Sequence, residues 1–313
     1  MKKIFSLLII ASFLGCSEKN NDIFITNKLE DRLLVFQRNT DSNTSDFYTK
    51  VYEADAATGK ILNELGGYPR IQARTYYDLV YYNDEILTKR STGELIRFNL
   101  DSNTQTITDF NQDVYNLMVL DGRLFGTKYN TSSIDLVEID ELGNVISVID
   151  TYEELPDSPS NNRTGMYRIT FSPEENLLIV SRRLSFLSDA IDKLYLYNVK
   201  TGSKKEVDIN NYQSIISGNS GRIYALKTVD TPNSLYSKLI EFNKETGEEL
   251  RDVYIFDDYL SDSDELVFFS SLNQILVIRG YESMEKVDVN SGKLITTPID
   301  YDYSFLGGLR MTR

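Results

Sequence analysis

The 313-residue chain has no histidine and no tryptophan, and its one cysteine stands at position 16. Without histidine there is no imidazole base to activate a serine or cysteine, and no imidazole ligand for a metal. One thiol cannot close an internal disulfide, and it gives zinc or copper no ligand set. No glycine-rich phosphate loop is present, since Gly218, Asn219, Ser220 and Gly221 read as a hairpin turn. Positive charge is scarce, with 33 Lys and Arg against 47 Asp and Glu and a formal charge of -14. Such a chain as a whole is repelled by nucleic acid and by anionic lipid, which excludes nucleic acid as a partner. No long stretch carries apolar residues at helical spacing. What is abundant is Tyr (21) and Phe (15), and with Val, Ile and Thr these favour strands.

The N-terminus carries a targeting signal. Lys2 and Lys3 precede an apolar run over 4–14 that is too short to span a bilayer. The run ends at Phe13, Leu14, Gly15 and Cys16, which resembles a bacterial lipobox. That resemblance implies cleavage before Cys16, acylation of its thiol, and an outer-membrane lipoprotein, periplasmic or surface-exposed. The alternative is an ordinary secretory leader with an incidental cysteine. Loss of Lys2 and Lys3 would take the charge from -14 to about -16. The expected organisation is a leader over 1–15, a lipidated cysteine and tether over 16–22, and one domain over 23–313.

Internal repeats organise the rest. A short apolar run closed by a cation recurs six times, at 34–38, 86–90, 124–128, 178–182, 223–227 and 275–279. A second feature keeps the same period: an Asp or Asn that runs into a turn, with turn residues at 59, 103, 143, 202, 247 and 292. Gly, or Asn in one copy, supplies the backbone angle of a tight hairpin, and the Asx side chain starts the turn. Each repeat then reads as four strands, A to D. Four short strands per period of roughly 40 to 45 residues predict an all-β, six-bladed β-propeller. A seven-bladed ring is the alternative, and a β-sandwich with long loops is the other architecture to weigh. The segment 303–306 falls where another A strand is due, so it is expected to return beside 33–37 and close the ring.

This topology puts short A–B and C–D turns on one face and longer B–C and D–A loops on the other. The recurring cations Arg38, Arg90, Lys128, Arg182, Lys227 and Arg279 end strand B, so they belong around the channel mouth on the long-loop face. Tyr68, Tyr76, Tyr77, Tyr129, Tyr167 and Tyr281 accompany them. An Arg fork holds a carboxylate, sulfate or phosphate, and Tyr adds a flat face and a hydroxyl. Together they suit an acidic glycan or an acidic peptide segment. The competing expectation is that each cation only pairs with an acid on a neighbouring blade. Calcium is the one metal left to consider, at the loop acids Asp257, Asp258, Asp262, Asp264 and Glu265 or at Asp41, Asn43 and Asp46. Neither group matches a twelve-residue calcium loop, and no cofactor is expected.

With the lipobox-like Cys16 and the six repeats, the chain resembles the six-bladed propeller lipoproteins of Bacteroidota, related in architecture to the TolB and NHL propellers. The resemblance covers about residues 23–313, and its motifs specify architecture without an activity. The missing nucleophile chemistry, the anchor at Cys16 and the one-sided long loops lead to the expectation of a lipid-anchored envelope protein that binds a glycan or an envelope protein without catalysis. A carbohydrate-active enzyme, a glycosidase or lyase, is the alternative, with Asp78, Asp113 and Asp264 as candidate channel acids. A purely structural scaffold is the third reading, expected if all six cations are paired internally.

Overall fold

A computed structural model of the protein describes residues 29–40, 47–55, 57–69, 79–83, 85–89, 93–99, 102, 104–111, 113–153, 167–172, 175–185, 188–260, 265–269, 272–278, 283–298 and 305–312. Apart from one 3-10 turn at Asn219–Gly221, the regular elements are strands. Repeat one holds β1 (Leu29–Thr40), β2 (Phe47–Ala54) and β3 (Ile61–Pro69). Repeat two holds β4 (Leu79–Tyr82), β5 (Glu85–Lys89), β6 (Glu94–Asn99) and β7 (Thr104–Asp109). Repeat three holds β8 (Val114–Leu120), β9 (Arg123–Tyr129), β10 (Ser133–Ile139) and β11 (Val145–Glu153). Repeats four and five run through β12 (Tyr167–Ser172), β13 (Leu177–Ser185), β14 (Ser188–Asn198), β15 (Lys204–Ser217), β16 (Ile223–Thr231), β17 (Ser234–Phe242) and β18 (Glu249–Ile255). Repeat six holds β19 (Glu265–Phe269), β20 (Gln274–Ile278), β21 (Ser283–Asp288) and β22 (Lys293–Pro298), and β23 (Phe305–Thr312) ends the chain.

The described strands form five antiparallel sheets, because repeats four and five share one strand. The N-terminal half of β15 pairs with β14 and its C-terminal half with β16, the register breaking between Tyr212 and Ser214. One strand is thus the outermost of one repeat and the innermost of the next. The chain's last strand closes the first sheet: β23 pairs with β1, Phe305 opposite Phe36 and Gly308 opposite Leu33. The innermost strands form a closed circuit, β23 beside β4, then β8, β12, β15 and β19, which returns to β23. Sheets set radially around such a circuit make a β-propeller.

The core lies between sheets. One cluster joins Leu87 and Leu95 of repeat two to Val114 and Leu124 of repeat three. The next joins Phe125 and Leu136 to Leu178 and Val180. Two more join Ile179 and Leu196 to Tyr212 and Phe242, and Tyr224 and Leu226 to Ile275 and Val277. A B strand therefore packs on both faces, and Ile86 and Leu87 are adjacent yet both fully buried. Outer strands face water instead, as in β7, where exposed and half-exposed residues alternate.

The C–D turns follow the expected chemistry in all six repeats. The side chain of Asp55, Asn99, Asp140, Asn198, Asn243 or Asp288 accepts backbone N–H bonds of 2.6–3.2 Å from residues two to four positions ahead. Glycine is required twice over at Gly247 and Gly292. Their φ values are 76° and 65°, and a Cβ would meet the Asp208 and Val253 carbonyl oxygens at 2.6 and 2.5 Å.

These turns dock on the preceding repeat, and a cation fastens most of the junctions. Arg97 donates to the Glu141 carbonyl at 2.8 Å, Arg123 to Val199 at 3.3 Å and Arg251 to Val289 at 2.7 Å. Lys205 pairs with Glu245 at 2.5 Å, and buried Lys286 donates to the Ala57 carbonyl at 2.7 Å, joining repeat six to repeat one. Two residues before the Asx, strand C carries a cation in Arg97 and Lys286 and an acid in Glu138 and Glu241. Each of those acids holds an Arg from a neighbouring strand, Arg123 or Arg251, and that Arg makes the bond.

Candidate functional site

The six expected mouth cations divide three ways. Arg90 and Arg279 lie outside the described residues, as do Tyr76, Tyr77, Tyr281 and Cys16. Arg38, Tyr68 and Tyr167 belong by their backbones to β1, β3 and β12. Arg182, Lys227 and Lys128 are described in full, and the first two are ion-paired. Arg182 grips Asp192 with two bonds of 3.0 and 2.5 Å, and Lys227 pairs with Glu249. Both pairs lie within one repeat. Ion pairs with a neighbouring repeat are instead made on the opposite face by Arg97 with Glu141 and Lys205 with Glu245, while Arg123, Arg251 and Lys286 reach a neighbouring repeat's carbonyl oxygen. Two of the expected long loops are also strand: β13–β14 and β16–β17 run on as hairpins beyond Arg182 and Lys227, with Ser185 opposite Ser188 and Thr231 opposite Ser234.

Lys128 has no ion pair among the described residues. It stands opposite Val114 on the innermost strand β8. A second lysine arrives at the same place: Lys89, at the end of β5, donates to the Val114 carbonyl. Its ammonium sits 3.7 Å from the centre of the Tyr115 ring and 5.8 Å from that of Phe110. Lys89 is only 4% exposed. An ammonium this deep costs several kcal/mol unless it is compensated, and a carbonyl with an aromatic face supplies that compensation. Tyr129 packs edge-on to Tyr115 with centroids 5.3 Å apart.

A defect in β8 aims these groups. The register slips between Tyr115 and Met118, and Asn116 takes a left-handed φ of 52°. Asn116 Nδ2 donates to Thr127 Oγ1 at 2.7 Å, and Thr127 Oγ1 donates to the Tyr115 carbonyl at 3.2 Å. A bulge of this kind turns a strand and redirects its side chains. Gly126 lies opposite it, where a Cβ would meet Val114 Cγ1 at 2.8 Å. The result is a junction on the long-loop side, at the ends of β5 and β9 and the start of β8: register brings Lys128 beside Val114 and Lys89, while Tyr129, on the other face of β9 and packed toward repeat four, reaches it through the Tyr115 ring. Its charge and rings fit an anionic, ring-bearing ligand. Lys128 was legible from the repeat pattern. Lys89 and Tyr115 were not, because Lys89 stands one place before the repeated cation, where other copies carry Thr127, Ser181 or Leu226.

Of the three candidate acids, Asp78 and Asp264 lie outside the described residues, while Asp113 is exposed next to Val114. No group of three or more Cys, Asp or Glu suited to a metal ion occurs among the described residues. Asp257 and Asp258 are exposed, Glu265 belongs by its backbone to β19, and Asp262, Asp264, Asp41, Asn43 and Asp46 lie outside the described residues.

The sequence matches no protein-family model and no curated protein. Its fold is similar to that of a hypothetical selenium-binding protein from Sulfolobus tokodaii, at 8% identity and a TM-score of 0.51, over 87% of this chain and 74% of that one. It is also similar to oligogalacturonate lyase from Vibrio parahaemolyticus, at 11% identity and a TM-score of 0.47, over 85% and 86% of the two chains. BamB from Moraxella catarrhalis is similar at 13% identity and a TM-score of 0.41, over 84% and 76%. At these identities the likeness concerns the fold alone.

Proposed function

We propose that this chain is a six-bladed, lipid-anchored propeller of the bacterial cell envelope that binds without catalysis, presenting its long-loop face to an acidic glycan or an acidic segment of an envelope protein. The observation that carries this reading is the corner at Val114, where Lys128 lacks an ion pair among the described residues beside Lys89, Tyr115 and Tyr129. Cations backed by aromatic faces hold carboxylates and sugar rings together. The anchor rests on Cys16 at the end of its apolar run, and an outer-membrane address follows from it. The count of six rests on the closed circuit of inner strands. Arg38, Arg90, Arg182, Lys227 and Arg279 are the other cations proposed for the mouth, of which Arg182 and Lys227 are already occupied by Asp192 and Glu249.

The test is binding of the purified chain in detergent to neutral and acidic glycans at low and high salt. Acidic glycans should bind, weaken with salt, and lose about ten-fold in affinity, roughly 1.4 kcal/mol, in Lys128→Gln. Equal binding by wild type and Lys128→Gln would remove this corner as the site. Cleaved product in the same incubations would replace binding by the carbohydrate-active reading.

A further inference from the structure

A second polar corner lies on the same long-loop face, between repeats five and six, and among the described residues it holds no cation. Its centre is Gln213, the extra residue at the bulge of β15. Gln213 is 7% exposed, and its Nε2 donates to the Tyr259 hydroxyl at 3.0 Å. Its Oε1 is buried and has no partner among the described residues. Exchanging the amide's O and N would let Tyr259 donate to Oε1 but would leave Nε2 open instead. Either way one atom of a nine-tenths buried amide is unmet, which burial penalises.

Thr228 adds a second unmet group, since its Oγ1 is also buried without a partner. Alternation along β16 puts Thr228 on the same face as Leu226, which packs toward repeat six. Thr228 is opposite Ser237, whose hydroxyl accepts the Leu260 N–H at 2.8 Å. Leu260 directly follows Tyr259, so Gln213, Thr228 and Tyr259 converge under one chain segment. Tyr259 accepts from Gln213, which leaves its own proton to donate, and its side chain is 39% exposed. Among the described residues no cation belongs to this corner, because Lys227 lies on the opposite side of β16 from Thr228 and pairs with Glu249.

An amide oxygen that needs a donor, a hydroxyl that can do either, and a phenol with a free proton match a group that both donates and accepts. A sugar hydroxyl is such a group, and the exposed Tyr259 ring offers a face for the sugar ring. We infer that Gln213, Thr228 and Tyr259 form a subsite for a neutral, hydroxyl-bearing sugar unit, separate from the lysine corner. This rests on the reading that the long-loop face binds a glycan.

The test uses the full chain in detergent with glucose, galactose and N-acetylglucosamine as probes, followed by saturation-transfer NMR and calorimetry. At least one probe should bind with an affinity indifferent to salt. Tyr259→Phe and Thr228→Val should each weaken it about ten-fold, roughly 1.4 kcal/mol, with Thr228→Val at least as stable as wild type and Tyr259→Phe folded but less stable, because it takes away the acceptor of Gln213 Nε2. Lys128→Gln should leave it unchanged. No binding by any probe, or binding untouched by both variants, overturns the inference. A gain in stability in Thr228→Val without loss of binding assigns these groups to internal packing and overturns it equally. Acidic-glycan binding lost in Lys128→Gln is read separately, so failure here and failure of the lysine corner are distinguishable.

Discussion

Gly126→Ala should destabilise the protein through one contact, and Val114→Ala should relieve it. Gly126 lies on β9 opposite the β8 bulge, where a Cβ would sit 2.8 Å from Val114 Cγ1, 3.1 Å from the Tyr115 carbonyl oxygen and 3.5 Å from Leu117 Cδ2. Carbon atoms in contact rest about 3.5–4.0 Å apart, so Val114 has to retreat by roughly 0.7–1 Å. Val114 is fully buried and bonds Lys89 through its carbonyl, which leaves it little room. Overpacking of this kind costs about 1–3 kcal/mol, and the lower freedom of alanine in the unfolded chain returns about 0.4–1 kcal/mol. The expected net loss is about 1–2 kcal/mol in urea unfolding. Val114→Ala alone removes two buried methyl groups and should cost about 1–3 kcal/mol. In the double variant the new methyl occupies the space vacated, so the losses should fall short of their sum by about 1–2 kcal/mol. Losses that add to within about 0.5 kcal/mol would refute the contact, and so would a Gly126→Ala protein as stable as wild type.

Other perturbations probe the junctions and the titrating groups. Arg123→Ala should cost about 1–2 kcal/mol, because it strips both bonds from Glu138 and one from the Val199 carbonyl. Lys205→Ala, which loses only an exposed pair with Glu245, should change stability by less than about 0.5 kcal/mol. Arg123 holds the Glu138 carboxyl below its usual range, so that pair's contribution is present above the ordinary carboxylate pKa and is lost as pH falls through the lowered one. The acid limb of stability should therefore flatten in Arg123→Ala, and an unchanged limb would count against the pair. At the alkaline end burial, then the Glu249 charge, pushes the Tyr212 phenol up to about 12. Its contribution is full below the unfolded value near 10 and falls as pH rises toward 12, at no more than about 1.4 kcal/mol per unit. Burial lowers the pKa of Lys286, which acts in the opposite sense just below its ordinary value. The difference curve between wild type and Tyr212→Phe isolates the phenol, and a flat difference above pH 10 would remove this assignment.

The sequence by itself determined whatever depends on neighbours along the chain. The Asx turns from Asp55 to Asp288 and the apolar B strands were legible, because a tight turn and a twofold strand pattern are set within a few residues, and the return of β23 beside β1 was legible from the repeat period, which leaves one A strand over. The apolar runs 86–90 and 275–279 fall within about one residue of β5 and β20. Lys128 was placed by the same pattern, as the cation that ends strand B in each repeat.

Tertiary structure alone decided which charges meet. Arg97 and Lys286 reach the next repeat directly, whereas Glu138 and Glu241 occupy the same position and do so through Arg123 and Arg251. One contact is thus built from residues of opposite sign on different strands, which no periodic pattern in the chain records. The fusion of two repeats through β15, the bulge that turns Tyr115 toward Lys89, and the gathering of Gln213, Thr228 and Tyr259 belong to the same class. A turn is specified by local backbone energy, but a site between sheets is specified by which side chains the closed ring leaves within a few ångströms, and that distance exists only once the ring has closed.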